Sequence, residues 1–366
     1  MLFLLILCCG SAFVATAWLV RYAREHAHLY DHAAPQRFHV GHVPRLGGAA
    51  MLVACSVGWV WMVISDWFDF NNQIRLGEWM ALSLWLVTVI AVAGGIYEDL
   101  TQRLQARSRL VLTIAASLVA VYALGLSVPR IGLPMLDEWW AQYRWLGIGL
   151  AVLAITGLPH AFNLIDGYNG LAGLVALICC FALAYVALQV GDRQLAAIVL
   201  ALAGATAGFL VWNYPRGLIF AGDGGAYLWG TVIAMVSLLL VMRHPLVSPW
   251  FPVLLLIYPV WETLFSIYRK AARGQSPGVA DALHFHQLIY RRIVRGVFHD
   301  DDARRMLMRN NRTSPYLWGF ALLTVTPAVL FWSNTPALIA FIALFVVSYL
   351  WVYSSIVRFK MQRWLH

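Results

Sequence analysis

Three short glycine-flanked acidic segments hold the residues best suited to chemistry: GGIYEDL at 94–100, NLIDGYNGLAG at 163–173 and IFAGDGGAYLWG at 219–230. Each adjoins a long apolar run. A carboxylate is costly there, roughly 2.5–3.5 kcal/mol for an Asp at the centre of a spanning helix, so acids kept this close are expected to serve a purpose. Glu98, Asp99, Asp166 and Asp223 are expected to converge on one divalent cation, since hard cations take carboxylate oxygens, and so to support phosphoryl chemistry. Asp223, between Gly222 and Gly224, is the expected metal ligand. Glu98 and Asp99 suit base catalysis or metal binding, with a solvated helix end as the plainer alternative.

Around these acids lie polar residues that could orient a substrate. Asn163, Asp166 and Asn169 recur every three residues, which places two amides and a carboxylate on one face if the segment is helical. Gly167, Gly170 and Gly173 would let a phosphate approach backbone N–H groups, although helix capping explains the same residues. Phe220 could stack on a base or simply sit at the membrane interface. In SPGVADALHFHQLIYRR, His284 and His286 stand before Arg291 and Arg292, a set that fits a pyrophosphate or an ordinary surface loop. Arg37, His39 and Arg45 precede an apolar run at a depth where cations meet a lipid phosphate. Asp300, Asp301 and Asp302 read as a solvated helix start.

The elements that must position these groups follow from hydropathy. Hydrophobic residues make up 61% of the 366-residue chain and charged ones only 12%. Apolar stretches of about 18–22 residues recur throughout, as spanning helices require. The expected spans are 1–20, 47–65, 79–97, 109–127, 145–162, 171–190, 194–212, 225–242, 250–268, 316–333 and 338–357. The chain therefore reads as an all-α polytopic membrane protein of about 11 transmembrane helices, one integral domain over 1–366, with 271–315 as a large loop carrying the H-x-H pair.

Alternate loops hold 21 of the 26 Lys and Arg, the other face keeping only Arg75, Arg130, Arg144, Arg193 and Arg243. By the positive-inside rule the N-terminus is outside, the C-terminus cytoplasmic, and all three acidic segments share the cytoplasmic face. The net charge of +9 is spread over loops facing anionic headgroups, which points to the lipid bilayer as partner and to no nucleic acid. The five Cys fall inside expected spans without ligand spacing, so neither a disulfide nor zinc is expected.

In order, PQRFHVGHVPRLGG, GGIYEDL, FNLIDGYNGLAG, VWNYPRGLIFAGDGGAYLWG and DALHFHQLIYRR resemble the motif series of the polyprenyl-phosphate N-acetylhexosamine-1-phosphate transferases, over residues 31–292. The resemblance implies transfer of a sugar 1-phosphate from a UDP-N-acetylhexosamine to undecaprenyl phosphate at the bacterial cytoplasmic membrane, with Mg2+ or Mn2+, initiating O-antigen or another surface polysaccharide. By motif position it makes Asp223 the magnesium ligand, places Asn213 and Phe220 at the nucleotide, and matches Asp99 and Asp166 to catalytic acids. It departs from the family pattern at Glu98, Asn169 and Gln287, where Asp, Asp and His are usual. A homodimer is compatible with it. Against this stand a transporter or flippase, whose acids belong near the bilayer midplane, and a silent scaffold of polysaccharide assembly.

Overall fold

A computed structural model of the chain describes residues 1–23, 43–65, 74–274, 283–294 and 303–358. The described residues are helical throughout, without strands. In chain order the helices are α1 (Leu2–Tyr22), α2 (Gly47–Ile64), α3 (Glu78–Thr101), α4 (Ala106–Leu124), α5 (Pro134–Gln142), α6 (Arg144–Ile165), α7 (Leu171–Gln189), α8 (Arg193–Asn213), α9 (Gly222–Arg243), α10 (Trp250–Leu255), α11 (Ile257–Ala272) and α12 (Phe285–Ile289). After a π-helical turn at Tyr290–Val294 come α13 (Ala303–Leu330) and α14 (Thr335–Val357).

Nine of the described helices are long and apolar enough to cross a membrane: α1–α4, α6–α9 and α14. The polytopic all-α architecture is thus as expected. The expected span at 250–268 is not one straight helix. It breaks at Leu256, with Pro259 three residues on, into α10 and α11. The face α11 turns inward carries Glu262, Ser266 and Arg269, all buried, while Leu264, Ile267 and Tyr268 point outward. Such reversed amphipathy suits a helix whose outside is lipid and whose inside is a site. Residues 303–315, expected within a loop, form the first half of α13.

The centre of the bundle is α9. Its sequence is apolar on every side between Asp223 and Arg243 and is buried almost all round, as a helix without a polar stripe must be. Helices α2, α3, α6 and α8 pack around it. Arg130 gathers carbonyls at and just beyond the C-terminus of α9, donating from Nη1 to Val241 at 3.0 Å and from Nη2 to Val247 at 2.7 Å and Pro245 at 3.0 Å. A cation there also complements the helix dipole.

The N-terminus of α9 can be central only because its neighbours are small. At Gly95 of α3 an added Cβ would lie 2.5 Å from the Gly224 amide nitrogen, so the two backbones touch. Gly222 has φ +70°, and a Cβ there would lie 2.4 Å from a carboxylate oxygen of Asp99. No other residue type fits that conformation and that space. The segment before α2 runs alongside: the Phe220 amide donates to the Pro44 carbonyl at 2.9 Å, and those of Gly47 and Gly48 donate to Phe220 and Ala221, both at 2.9 Å. That pairing brings Arg45 to the same end of the bundle. All five cysteines are free.

Candidate active site

Three acidic segments meet where α3 ends, α6 ends and α9 begins. Asp99 lies in the last turn of α3, which runs about one turn past the end expected from hydropathy, and is buried. Its carboxylate accepts from the amides of Asp223 and Gly224, both at 2.9 Å. An anion receiving the free N–H groups of a helix start satisfies donors that have no intrahelical partner. Asp99 is therefore the cap of α9 and fixes the residue beside it.

Asp223 sits in the first turn of α9. Asn163 donates from Nδ2 to its Oδ1 at 2.7 Å, and Arg109, from the start of α4, forms an ion pair with Oδ2. Asp166, the residue that ends α6, lies near Asp99 and Arg45, which act on it and on each other electrostatically. Burial pushes the Asp166 carboxyl up to about 7, with Arg45 pulling it down. So Asp99, Asp166, Asp223, Asn163 and Arg45, drawn from four separate stretches of sequence, share one corner.

The H-x-H pair joins them. His284 and His286 lie with rings parallel, centroids 5.5 Å apart. His286 packs edge-on against Tyr168 at 5.6 Å and lies against Gly167, just after Asp166. Burial, with the nearby His284 and Arg269, lowers His286 to about 3 despite the opposing Glu262. It is a neutral imidazole at physiological pH and offers a hydrogen bond, not the charge expected for a pyrophosphate clamp.

Other expected residues have different duties. Glu98 closes the turn after α3, its Oε2 accepting from the Leu104 amide at 2.6 Å. Helix α6 stops at Ile165, so Asn163, Asp166 and Asn169 do not share a helical face. Asn169 turns to α13: its amide nitrogen donates to Asn310 Oδ1 at 2.8 Å, its Nδ2 to Asn311 Oδ1 at 3.0 Å, and its carbonyl accepts from Ser314 at 2.6 Å. Asn213 is buried as a strut, accepting from the Gly170 amide at 2.7 Å and donating to the Ile219 carbonyl at 2.8 Å. Phe220 is half-buried, with its main chain paired to the 44–47 segment. Arg37, His39 and Asp300–Asp302 lie outside the described residues.

The expected convergence of four carboxylates on one cation is corrected. Among the described residues no group of three or more His, Cys, Asp or Glu side chains is arranged to hold a metal ion. Two of the four carboxylates are occupied by backbone amides. Of the other two, Asp166 and Asp223, the latter, held at a helix start by Asn163 and Arg109, could hold magnesium, which binds through one or two carboxylates and completes its shell with water and substrate phosphates.

Sequence reasoning passed over Arg109, His160 and Glu262. His160 lies one turn before Asn163; its Nε2 is 3.1 Å from Thr113 Oγ1 and its Nδ1 3.4 Å from the Tyr227 hydroxyl. Thr113 gives its own proton to the Leu110 carbonyl at 2.9 Å, so Nε2 is the donor and Nδ1 accepts from Tyr227. An ionisable residue inside an apolar run was the available signal for His160 and Glu262, whereas Arg109 stands in the basic stretch TQRLQARSRL, where loop charge accounts for it.

The model of glycosyl transferase family 4 matches residues 81–241. The chain is 28% identical over 260 residues to a probable undecaprenyl-phosphate N-acetylglucosaminyl 1-phosphate transferase of Bacillus subtilis, covering 70% of this chain and 68% of that protein. It is 26% identical to the phospho-N-acetylmuramoyl-pentapeptide-transferase of Levilactobacillus brevis, covering 66% and 75%. A decaprenyl-phosphate N-acetylglucosaminephosphotransferase of Mycolicibacterium smegmatis is 28% identical, covering 68% and 65%. These matches, with the motif series and the site it assembles, define a membrane-embedded sugar-phosphate transferase. Over these stretches the chain is similar to the polyprenyl-phosphate hexosamine-1-phosphate transferases.

Proposed function

We propose that this enzyme transfers an N-acetylhexosamine 1-phosphate from a UDP-sugar to undecaprenyl phosphate, releasing UMP and initiating O-antigen or another surface polysaccharide at the cytoplasmic membrane. The observation that carries the reading is the meeting of Asp99, Asp166 and Asp223 at the N-terminus of α9. An end of the helical bundle, with Arg45 beside these acids, is where a soluble nucleotide can meet a lipid phosphate. The basic loops expected on that face support a cytoplasmic site. UDP-GlcNAc is the first donor to test, followed by UDP-N-acetylfucosamine and UDP-N-acetylquinovosamine.

In the reaction, an oxygen of the lipid phosphate attacks the sugar-bearing phosphorus of the donor. The new P–O bond forms as the bond from that phosphorus to the bridging oxygen of the diphosphate breaks, and UMP leaves with the bridging oxygen. Asp223 would hold Mg2+, whose charge would neutralise the diphosphate and the departing UMP. Asp99 keeps the Asp223 backbone in place. Asn163 and Arg109 keep the side chain aimed. Asp166 is the best base of the three: its carboxyl lies near 7, close to the second ionisation of a phosphate monoester at about 6, so it can relieve the lipid phosphate of its last proton. Arg45, beside it, would receive the lipid phosphate. His286 and His284 border the opposite side, over Gly167.

The test is UMP release by purified protein with undecaprenyl phosphate, Mg2+ and the three UDP-sugars, each with and without EDTA. Lipid-dependent, EDTA-sensitive release with one donor is expected. Release without lipid, or none with any UDP-N-acetylhexosamine, would overturn the proposal.

A further inference from the structure

Glu262 has no place in the mechanism above, yet it is fully buried, on the inward face of α11. A buried carboxylate is retained at a cost of several kcal/mol unless partners receive it, so its partners are informative. Oε1 accepts from the Phe285 amide at 2.9 Å and lies 3.4 Å from His284 Nδ1. Oε2 accepts from the Tyr349 hydroxyl of α14 at 2.7 Å. One side chain therefore links α11, the H-x-H segment and α14. The residue before the pair is held from the same two helices: the Leu283 carbonyl accepts from Arg269 Nη1 at 2.7 Å and from the Tyr353 hydroxyl at 3.3 Å.

Apart from the Tyr349 bond, these contacts fall on residues 283–285, and the next residue, His286, lies on Gly167 beside Asp166. The site histidines thus hang from a frame built behind them. Building on the transferase reading, we propose that Glu262 is the positioning residue of the histidine pair: its carboxylate draws the Nδ1 proton of His284 toward itself, fixing the ring and its tautomer, and thereby seats His286 over the Asp166 turn. A carboxylate behind an imidazole sets which nitrogen carries the proton and how the ring is turned. An amide at 262 would still accept the Phe285 N–H, but without the charge.

That difference supplies the test. Full-length wild type, Glu262→Gln, His284→Ala and the double variant are compared in nanodiscs, with amide exchange followed over residues 283–289. Glu262→Gln is expected to lower kcat about 10- to 100-fold, with KM for undecaprenyl phosphate within about twofold and the Phe285 amide still protected. In the His284→Ala background the same change is expected to cost less than about twofold, since Glu262 acts through that ring. Wild-type kcat in Glu262→Gln, the result for a mere helix cap, overturns the proposal, as does an undiminished cost in the double variant. Should Glu262→Gln not fold, Tyr349→Phe removes one donor from the carboxylate; lower kcat at unchanged Tm supports the proposal and wild-type kcat overturns it. If the wild type transfers no sugar phosphate, the transferase reading fails, and the exchange arm decides alone: faster Phe285 exchange in Glu262→Ala supports the frame and unchanged exchange overturns it.

Discussion

Asp99 and Asp223 occupy one corner and both resemble catalytic acids, yet their substitution by Asn is expected to act by different routes. The Asp99 carboxylate receives two amides at the start of α9, each at 2.9 Å. Asn offers one oxygen and turns an NH2 toward the second amide, so one charge-assisted bond weakens to a neutral one and one buried donor is left unmet. Hydrogen bonds to charged groups are worth about 1.5–3 kcal/mol and an unmet buried donor costs about 1–3 kcal/mol, so Asp99→Asn is expected to destabilise by about 2–4 kcal/mol. For chains of 150–250 residues each kcal/mol moves Tm by about 2–4 °C, and a longer chain moves less, so a fall of about 3 °C or more is expected in detergent. Turnover falls as well, because Asp223 shifts with its backbone, and displacements of about 1 Å cost about 100-fold. Asp223→Asn touches no helix cap. It is expected to abolish turnover and its Mg2+ dependence, with a fall in Tm, from the lost Arg109 ion pair, smaller than that of Asp99→Asn. Thermal unfolding and UMP release measured on the same preparations check both. Asp99→Asn with wild-type Tm and no turnover would refute the capping argument and return Asp99 to the reaction itself.

Other outcomes follow from the same geometry. Because burial raises Asp166 to about 7, a base at that position makes kcat/KM fall about tenfold per pH unit below about 7. The linked effect on stability has the opposite direction: the raised carboxyl favours the folded state fully at acid pH, and that stability is lost as pH rises through about 7. Tm is therefore expected to drop between pH 5 and pH 8 in the wild type and less so in Asp166→Asn. Gly95→Ala would place a methyl 2.5 Å from the Gly224 nitrogen and should destabilise by about 1–3 kcal/mol with loss of turnover, whereas wild-type Tm would show that α3 and α9 can separate freely. Asn169→Asp restores the family's acid but sets a carboxylate against Asn311 Oδ1, 3.0 Å from the present Nδ2, so lower Tm without higher activity is expected; a gain in kcat would return Asn169 to the catalytic group.

The residues of the site were largely legible from the chain, and their duties were not. Glycine-flanked acids beside apolar runs marked Asp99, Asp166 and Asp223, because a carboxylate near lipid is too costly to keep without use. Hydropathy marked the nine long helices, since each must satisfy its own backbone within the bilayer. The same signal missed the break before α11 and read the start of α13, whose buried residues include Asn310 and Ser314, as a loop. Averaged hydropathy cannot distinguish a polar face buried against protein from a loop in water.

What the sequence by itself determined is the class: a helical membrane protein with its acids at one end and the motif order of a transferase superfamily. Only the tertiary structure decided who does what. Asp99 became a cap because Gly95 and Gly222 let α3 reach the first amides of α9, and Asn169 became a latch because α13 crosses it. Arg109 became the partner of Asp223 because α4 starts beside α9's first turn. A carboxylate's role depends on whether amides, a cation or a substrate fills its oxygens, and those neighbours come from segments 50 to 150 residues away that only folding brings within about 3 Å.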